Sequence, residues 1–221
     1  MKCPLPRCLL FDLDGTILES LPGISFSVDR ACQAAGLHRT DADLRTLLGP
    51  PIRNIFSRLA ATGDSALLDR LEAAFRSSYD SEGWQLTRCF EGARETLQAI
   101  QAGGYRLFVI TNKPQHISLL ILEREGLLNF FERVYTRDSR TPPYAGKVEM
   151  LEDFLRDSSV SPSECLTIGD TMEDIRASAA MRIPMALMEH GYGEVGNDVP
   201  VAMRLQSFSD FLTYLNMGCA R

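Results

Sequence analysis

Leu9-Leu10-Phe11-Asp12-Leu13-Asp14-Gly15-Thr16 is an apolar run that ends in two carboxylates two residues apart, followed at once by glycine and threonine. Such a run reads as a buried strand entering a loop. On an extended chain, residues i and i+2 point to the same side, so Asp12 and Asp14 are expected to project together. Two like charges held side by side repel, and a bound cation is the usual reason for such a pairing.

The rest of the 221-residue chain supplies enough material for one full core and a small accessory unit. Its 45% hydrophobic and 24% charged residues are those of an ordinary globular protein. The net charge of -6 and the lack of a basic patch exclude a general nucleic-acid binder. Six cysteines (Cys3, Cys8, Cys32, Cys89, Cys165 and Cys219) are scattered with no CxxC pair, as expected of small apolar side chains in a reducing compartment. No apolar run of about 18 residues predicts a membrane span, and Met1–Arg7 has no signal-peptide apolar core. The expected location is the cytoplasm.

Strand patterns recur at Cys8–Leu13, Tyr105–Thr111, Arg133–Thr136, Glu164–Gly169 and Ile183–Met188, with helical spacing between them over Glu91–Ala102, Gln115–Glu125, Lys147–Asp157 and Glu173–Met181. Alternating strands and helices predict an α/β fold with a parallel sheet wrapped on both faces, a Rossmann-like three-layer core. From about Leu18 to about Arg88 the alternation stops and only helical patterns are found, such as Leu44/Leu47/Leu48, Ile52/Ile55/Phe56/Leu59 and Leu67/Leu68/Leu71/Phe75. The expected division is a core of residues 1–18 and 89–221, with a small all-helical domain of residues 19–88 inserted after the first strand. Hinges are expected near Glu19–Leu21 and Thr87–Gly92, with Trp84 packing there. The Ser158–Ser163 stretch reads as a surface loop.

In open parallel sheets, ligands bind beyond the carboxyl ends of the strands. Past the first strand lie Asp12, Asp14, Gly15 and Thr16; past the second, Thr111, Asn112 and Lys113; past the fourth, Asp170, Thr171, Glu173 and Asp174. Several oxygen donors without a neighbouring cysteine or histidine suit a hard cation, Mg²⁺ above all. Such an ion beside a lysine, a threonine and a glycine turn suits a phosphoryl group. One aspartate can then act as nucleophile and the other as general acid and base.

These residues resemble the haloacid dehalogenase superfamily of phosphohydrolases, in the branch that contains phosphoglycolate phosphatase. DLDGT at Asp12–Thr16 resembles the family's first motif, ITN at Ile110–Asn112 its second, and GDTMEDI at Gly169–Ile175 its fourth, while the helical insert resembles its cap domain. DxDGT alone arises by chance in roughly one chain in several hundred of this length. The order and spacing of the motifs together are far more specific.

The resemblance implies that Asp12 is nucleophile and metal ligand, and that Asp14 is general acid/base with its carbonyl on Mg²⁺. It implies further that Asp170 is a metal ligand, that Asp174 holds a metal-bound water or the catalytic lysine, and that Thr111 and Asn112 bind the phosphoryl group. The family's third motif needs a lysine between the second and the fourth; Lys2 sits in the N-terminal tail and Lys113 belongs to the second motif itself, so Lys147, which opens a helical pattern between the third and fourth strands, is the natural candidate; Arg137 and Arg140 are next. Asp14 points away from dehalogenation, since a phosphate ester's leaving group gains from protonation and a halide does not. Lys113 is a possible second phosphate contact. Arg53, in the first turn of a helix opened by Gly49-Pro50-Pro51, is a candidate for reading a second anionic group on the substrate. Glu173 is expected to face solvent, and His38, His116 and His190 to lie away from every motif. The expected function is a Mg²⁺-dependent phosphatase acting on a small-molecule phosphate monoester, as a monomer or homodimer. The alternatives are a phosphosugar mutase resembling beta-phosphoglucomutase and a silent binding protein of the same fold.

Overall fold

The structure, a computed structural model, describes residues 6–37 and 44–219, the side chains of 216–219 excepted; Lys2, Cys3 and His38 lie outside the described residues. Six strands form one parallel sheet: β1 (Cys8–Phe11), β4 (Arg106–Thr111), β5 (Arg133–Thr136), β6 (Cys165–Gly169), β7 (Met185–Met188) and β8 (Met203–Leu205), in the order β5-β4-β1-β6-β7-β8. Strand β1 is central. Cys8 to Phe11 pair with Arg106 to Val109 on one side and with Cys165 to Ile168 on the other. The carboxyl ends of β1, β4 and β6 therefore reach one edge together.

All four residues of β1 are buried because both faces of the sheet are covered. Leu9 and Phe11 belong to one apolar cluster; Cys8 and Leu10, pointing the other way, belong to a second. The first cluster takes in α4 (Ala93–Ala102), α5 (Gln115–Arg124) and α8 (Phe208–Cys219) through Leu97, Ile121 and Phe211. The second takes in α6 (Lys147–Ser158) and α7 (Met172–Ala180) through Met150, Phe154 and Ala177. This is the expected three-layer α/β core.

Between β2 (Leu18–Glu19) and β3 (Arg88–Cys89) the chain forms α1 (Leu21–Ala34), α2 (Ile52–Leu59) and α3 (Ser65–Ser81), joined by short 3₁₀ turns at Leu44–Leu47 and Gly83–Leu86. The apolar positions read at helical spacing are buried: Leu44, Leu47, Ile55, Phe56, Leu59, Leu68 and Leu71. A fully buried Leu71 or Phe56 is worth about 1.5–3 kcal/mol over its exposed form. The sequence patterns missed β2 and β3, which pair antiparallel (Leu18 with Cys89, Glu19 with Arg88) where hinges were expected. At two residues each they are too short to carry an alternation. They also missed the three-residue β8 and the C-terminal α8.

Trp84 packs at this junction beneath the Arg124 guanidinium, 5.1 Å from its ring centroid. Cys8, Cys32, Cys89 and Cys165 are free thiols. None of the described helices is long and apolar enough to cross a membrane.

Candidate active site

The loop after β1 is shaped by a positive φ of 81° at Gly15, where a Cβ would stand 2.2 Å from Asp170 Oδ2. No other residue fits there. The tight turn brings Thr16 Oγ1 to Asp170 Oδ1 at 2.9 Å, which ties the tip of β1 to the tip of β6. Asp170 Oδ2 also accepts from the backbone N–H of Tyr192 at 2.7 Å.

Thr171 caps α7 in a reciprocal capping box: Asp174 Oδ2 accepts from Thr171 N (3.0 Å) and Thr171 Oγ1 (2.6 Å). Its other carboxylate oxygen faces inward. Lys147, at the first position of α6, stands between two acids, with Nζ 3.0 Å from Asp12 Oδ1 and 2.6 Å from Asp174 Oδ1. Asp12, Asp170 and Asp174, all buried, each offer one carboxylate oxygen within 4.8 Å of the others.

The electrostatics follow from this crowding. Burial, with the neighbouring aspartates, pushes Asp12 up to about 7 and Asp170 up to about 8. Burial works against the Lys147 charge, but Asp12 and Asp174 outweigh it and hold its pKa above the ordinary value. Lys113 behaves in the same way: its ammonium reaches both Asp14 oxygens at 3.0 and 3.1 Å and the Tyr79 hydroxyl at 2.8 Å, and these hold its pKa high against burial. Four aspartates (Asp12, Asp14, Asp170, Asp174) thus face two lysines. With all four carboxylates ionised, the excess of two negative charges equals the charge of one divalent cation, and an all-oxygen donor set suits Mg²⁺.

Thr111, the buried last residue of β4, lines the same cavity as Asp12, Asp14, Asn112, Lys113 and Lys147. Asn112 Nδ2 donates to Glu173 Oε1 at 2.7 Å, so half-buried Glu173 is turned toward the site and not, as expected, toward solvent. Arg53 opens α2 as read, but its guanidinium is spent on α3, 2.5 Å from Asp69 Oδ1 and 2.8 Å from Ser65 Oγ. It is not among the residues that line the cavity. An arginine in a helix's first turn can turn to a neighbouring helix as readily as to a ligand, and acidic α3 lies alongside. Arg137 lines the cavity, whereas Arg140 pairs with Glu149 and Asp153.

Three further residues escaped sequence reasoning. His190 meets the first motif, its Nε2 3.1 Å from the Thr16 carbonyl. Tyr192 receives the backbone N–H groups of Ser20 (2.7 Å) and Leu21 (3.0 Å) on its hydroxyl. Both follow β7, and the rule that sites lie past strand tips, applied to that strand too, would have found them. Tyr79 carried no such signal, because a tyrosine at helical spacing reads as core. The cavity, about 440 Å³, lies between these strand tips and the inner sides of α1, α2 and α3.

The sequence model of the haloacid dehalogenase-like hydrolases matches residues 9–188. A phosphoglycolate phosphatase from Nitrosospira multiformis is 30% identical over 208 residues, 90% of each chain. The tyrosine-protein kinase PtkA of Mycobacterium tuberculosis is 31% identical over 189 residues, covering 85% of this chain and 64% of that one. Among solved structures, a haloacid dehalogenase-like family hydrolase from Streptococcus pneumoniae superposes with a TM-score of 0.86 at 22% identity, over 95% of this chain and 98% of that one, a likeness of fold.

Proposed function

Because the chain belongs to the haloacid dehalogenase-like hydrolase family, we propose that it is a Mg²⁺-dependent phosphatase that cleaves a phosphate monoester through an aspartyl-phosphate. An Asp12 oxygen attacks phosphorus as the bond from phosphorus to the leaving oxygen breaks, and Asp14 gives that oxygen its proton. Asp14 then takes a proton from a water that attacks the same phosphorus. Orthophosphate departs and Asp12 returns as a carboxylate.

Lys147, fixed between Asp12 and Asp174, keeps the nucleophile in place and puts a positive charge beside it. Lys113 orients the Asp14 carboxylate by reaching both of its oxygens with one ammonium. Thr111 and Asn112 offer donors to the phosphoryl oxygens. A Mg²⁺ on Asp12, the Asp14 carbonyl and Asp170, with Asp174 behind, would supply charge neutralisation between an anionic nucleophile and an anionic ester. Residues 19–88 act as a cap that hinges at β2 and β3 and keeps bulk water out during transfer.

The observation that supports this reading above all is the meeting of Asp12, Asp170 and Asp174 within 4.8 Å around one buried lysine. Phosphate release from para-nitrophenyl phosphate tests it. Turnover should need Mg²⁺, stop with a chelator and vanish in Asp12→Asn. Turnover that survives that substitution overturns it. An enzyme that only interconverts sugar phosphate isomers, without steady phosphate release, would be a mutase.

A further inference from the structure

The cavity has two unlike ends. One is the polar strand-tip end already described. The other is a wall from the helices: Ile24 of α1, Leu48, Ile52 and Ile55 at and within α2, and Phe75 and Tyr79 of α3. Phe75 and Tyr79 stack with ring centroids 5.4 Å apart and planes 13° from parallel, and Phe56 meets Phe75 edge-on at 6.2 Å. Tyr79 thereby links the two ends, with its hydroxyl on Lys113 and its ring in the apolar wall. The charged residues of the lining do not call for a second anion. Away from the strand tips the lining holds Arg76 and Arg137 against Glu72, Asp80 and Asp138, and Arg76 is paired with Glu72 at 2.8 Å. Arg53, the candidate for that duty, is bound to α3.

Size points the same way. At the roughly 30 Å³ that liquid water allots to a heavy atom, phosphoglycolate fills only about 60% of the space. A cavity of about 440 Å³ lies in the range that encloses a ligand of drug-like size.

We infer that the substrate of this site is a monoester whose leaving alcohol is bulky and apolar, alkyl or aryl, and that two-carbon acids and sugars are poor substrates. The inference rests on the phosphatase reading. The phosphoryl group lies at Thr111, Asn112 and Lys147, and the alcohol extends across Tyr79 toward Phe75 and Ile52. Transfer of its apolar surface from water to this wall supplies selectivity.

The test is kcat/KM with Mg²⁺ for methyl, ethyl, butyl and hexyl phosphate, 1-naphthyl phosphate, glucose 6-phosphate and phosphoglycolate. The expected result is a rise of about fourfold per buried methylene, with 1-naphthyl phosphate at least about tenfold above phosphoglycolate. Ile52→Asn, on a half-buried position of α2, should flatten the alkyl series. A flat series in the unaltered protein, an unchanged slope in Ile52→Asn, or phosphoglycolate as best substrate overturns the inference. If none of these esters is turned over, the phosphatase reading fails by itself. Calorimetric binding of the same alkyl phosphates to Asp12→Asn then decides the inference independently, since affinity must rise with chain length.

Discussion

Asp12 and Asp170 hold protons near neutrality because burial, and after it the nearby Asp174 carboxylate, make the charged form costly there. Both are raised above the unfolded value, so their contribution to stability is complete below about pH 4 and declines as pH rises through about 7 and 8. The metal-free protein should therefore lose melting temperature from about pH 5 to pH 8.5, and the gain on adding Mg²⁺ should grow over the same window. A Mg²⁺-induced gain that is constant with pH would contradict this. Calorimetry in buffers of different ionisation enthalpy should find proton release on Mg²⁺ binding at pH 6.5, approaching two protons.

Lys147 belongs to the same balance. Lys147→Met leaves Asp12 and Asp174 buried without their cation, a loss of about 3–5 kcal/mol at pH 8. The loss should shrink at pH 5, where Asp12 takes up a proton. Chemical denaturation at the two pH values checks it. Asp14→Asn should lower kcat by about 10²–10⁴, and it should also lower stability, because it takes the counter-charge from the buried Lys113 ammonium.

At the level of elements, α3 joins the two halves of the site. Its Leu71 is fully buried, and Leu71→Ala should cost about 2–5 kcal/mol and lower the melting temperature by on the order of 10 °C. Much of the architecture was legible because each element carries its own period. The five strands read from the sequence appear as β1, β4, β5, β6 and β7, with ends moved by no more than two residues. β8 spans only Met203–Leu205 with a charged centre, too little for a pattern, whereas α8 placed Phe208, Phe211 and Leu215 at helical spacing. The acids after β1 and β6 were legible because a strand tip fixes where side chains point. Tyr79 and the partner of Arg53 were not, because both depend on how helices pack across space. Neither spacing nor composition says which helix an arginine will meet.

Over the whole molecule, the helical segment and the sheet are joined by a seam as well as by the chain. Arg45 donates to the carbonyls of His190 and Gly191 at 2.8 Å each. A Cβ at Gly49, whose φ is 112°, would lie 3.2 Å from Thr171 Cγ2. Tyr79 bonds to Lys113. Ligands that occupy the cavity touch both sides of this seam, so they should favour the seated arrangement. Hydrogen exchange at residues 19–21 and 87–92 should slow about tenfold when Mg²⁺ and orthophosphate are present at ten times their Kd. Unchanged exchange would mean that the segment does not open.

The short β2–β3 ladder also bears on how such a protein diversifies. Leu18 and Cys89 are rung partners in their own two-stranded ladder, so the outgoing and returning chains of the excursion run side by side at one point. Nearly seventy residues can be lengthened, shortened or swapped as one cassette without shifting the register of β1 against β4 and β6. Selection can therefore rewrite the helical wall of the cavity while Asp12, Asp170 and Asp174 at the strand tips stay where they are.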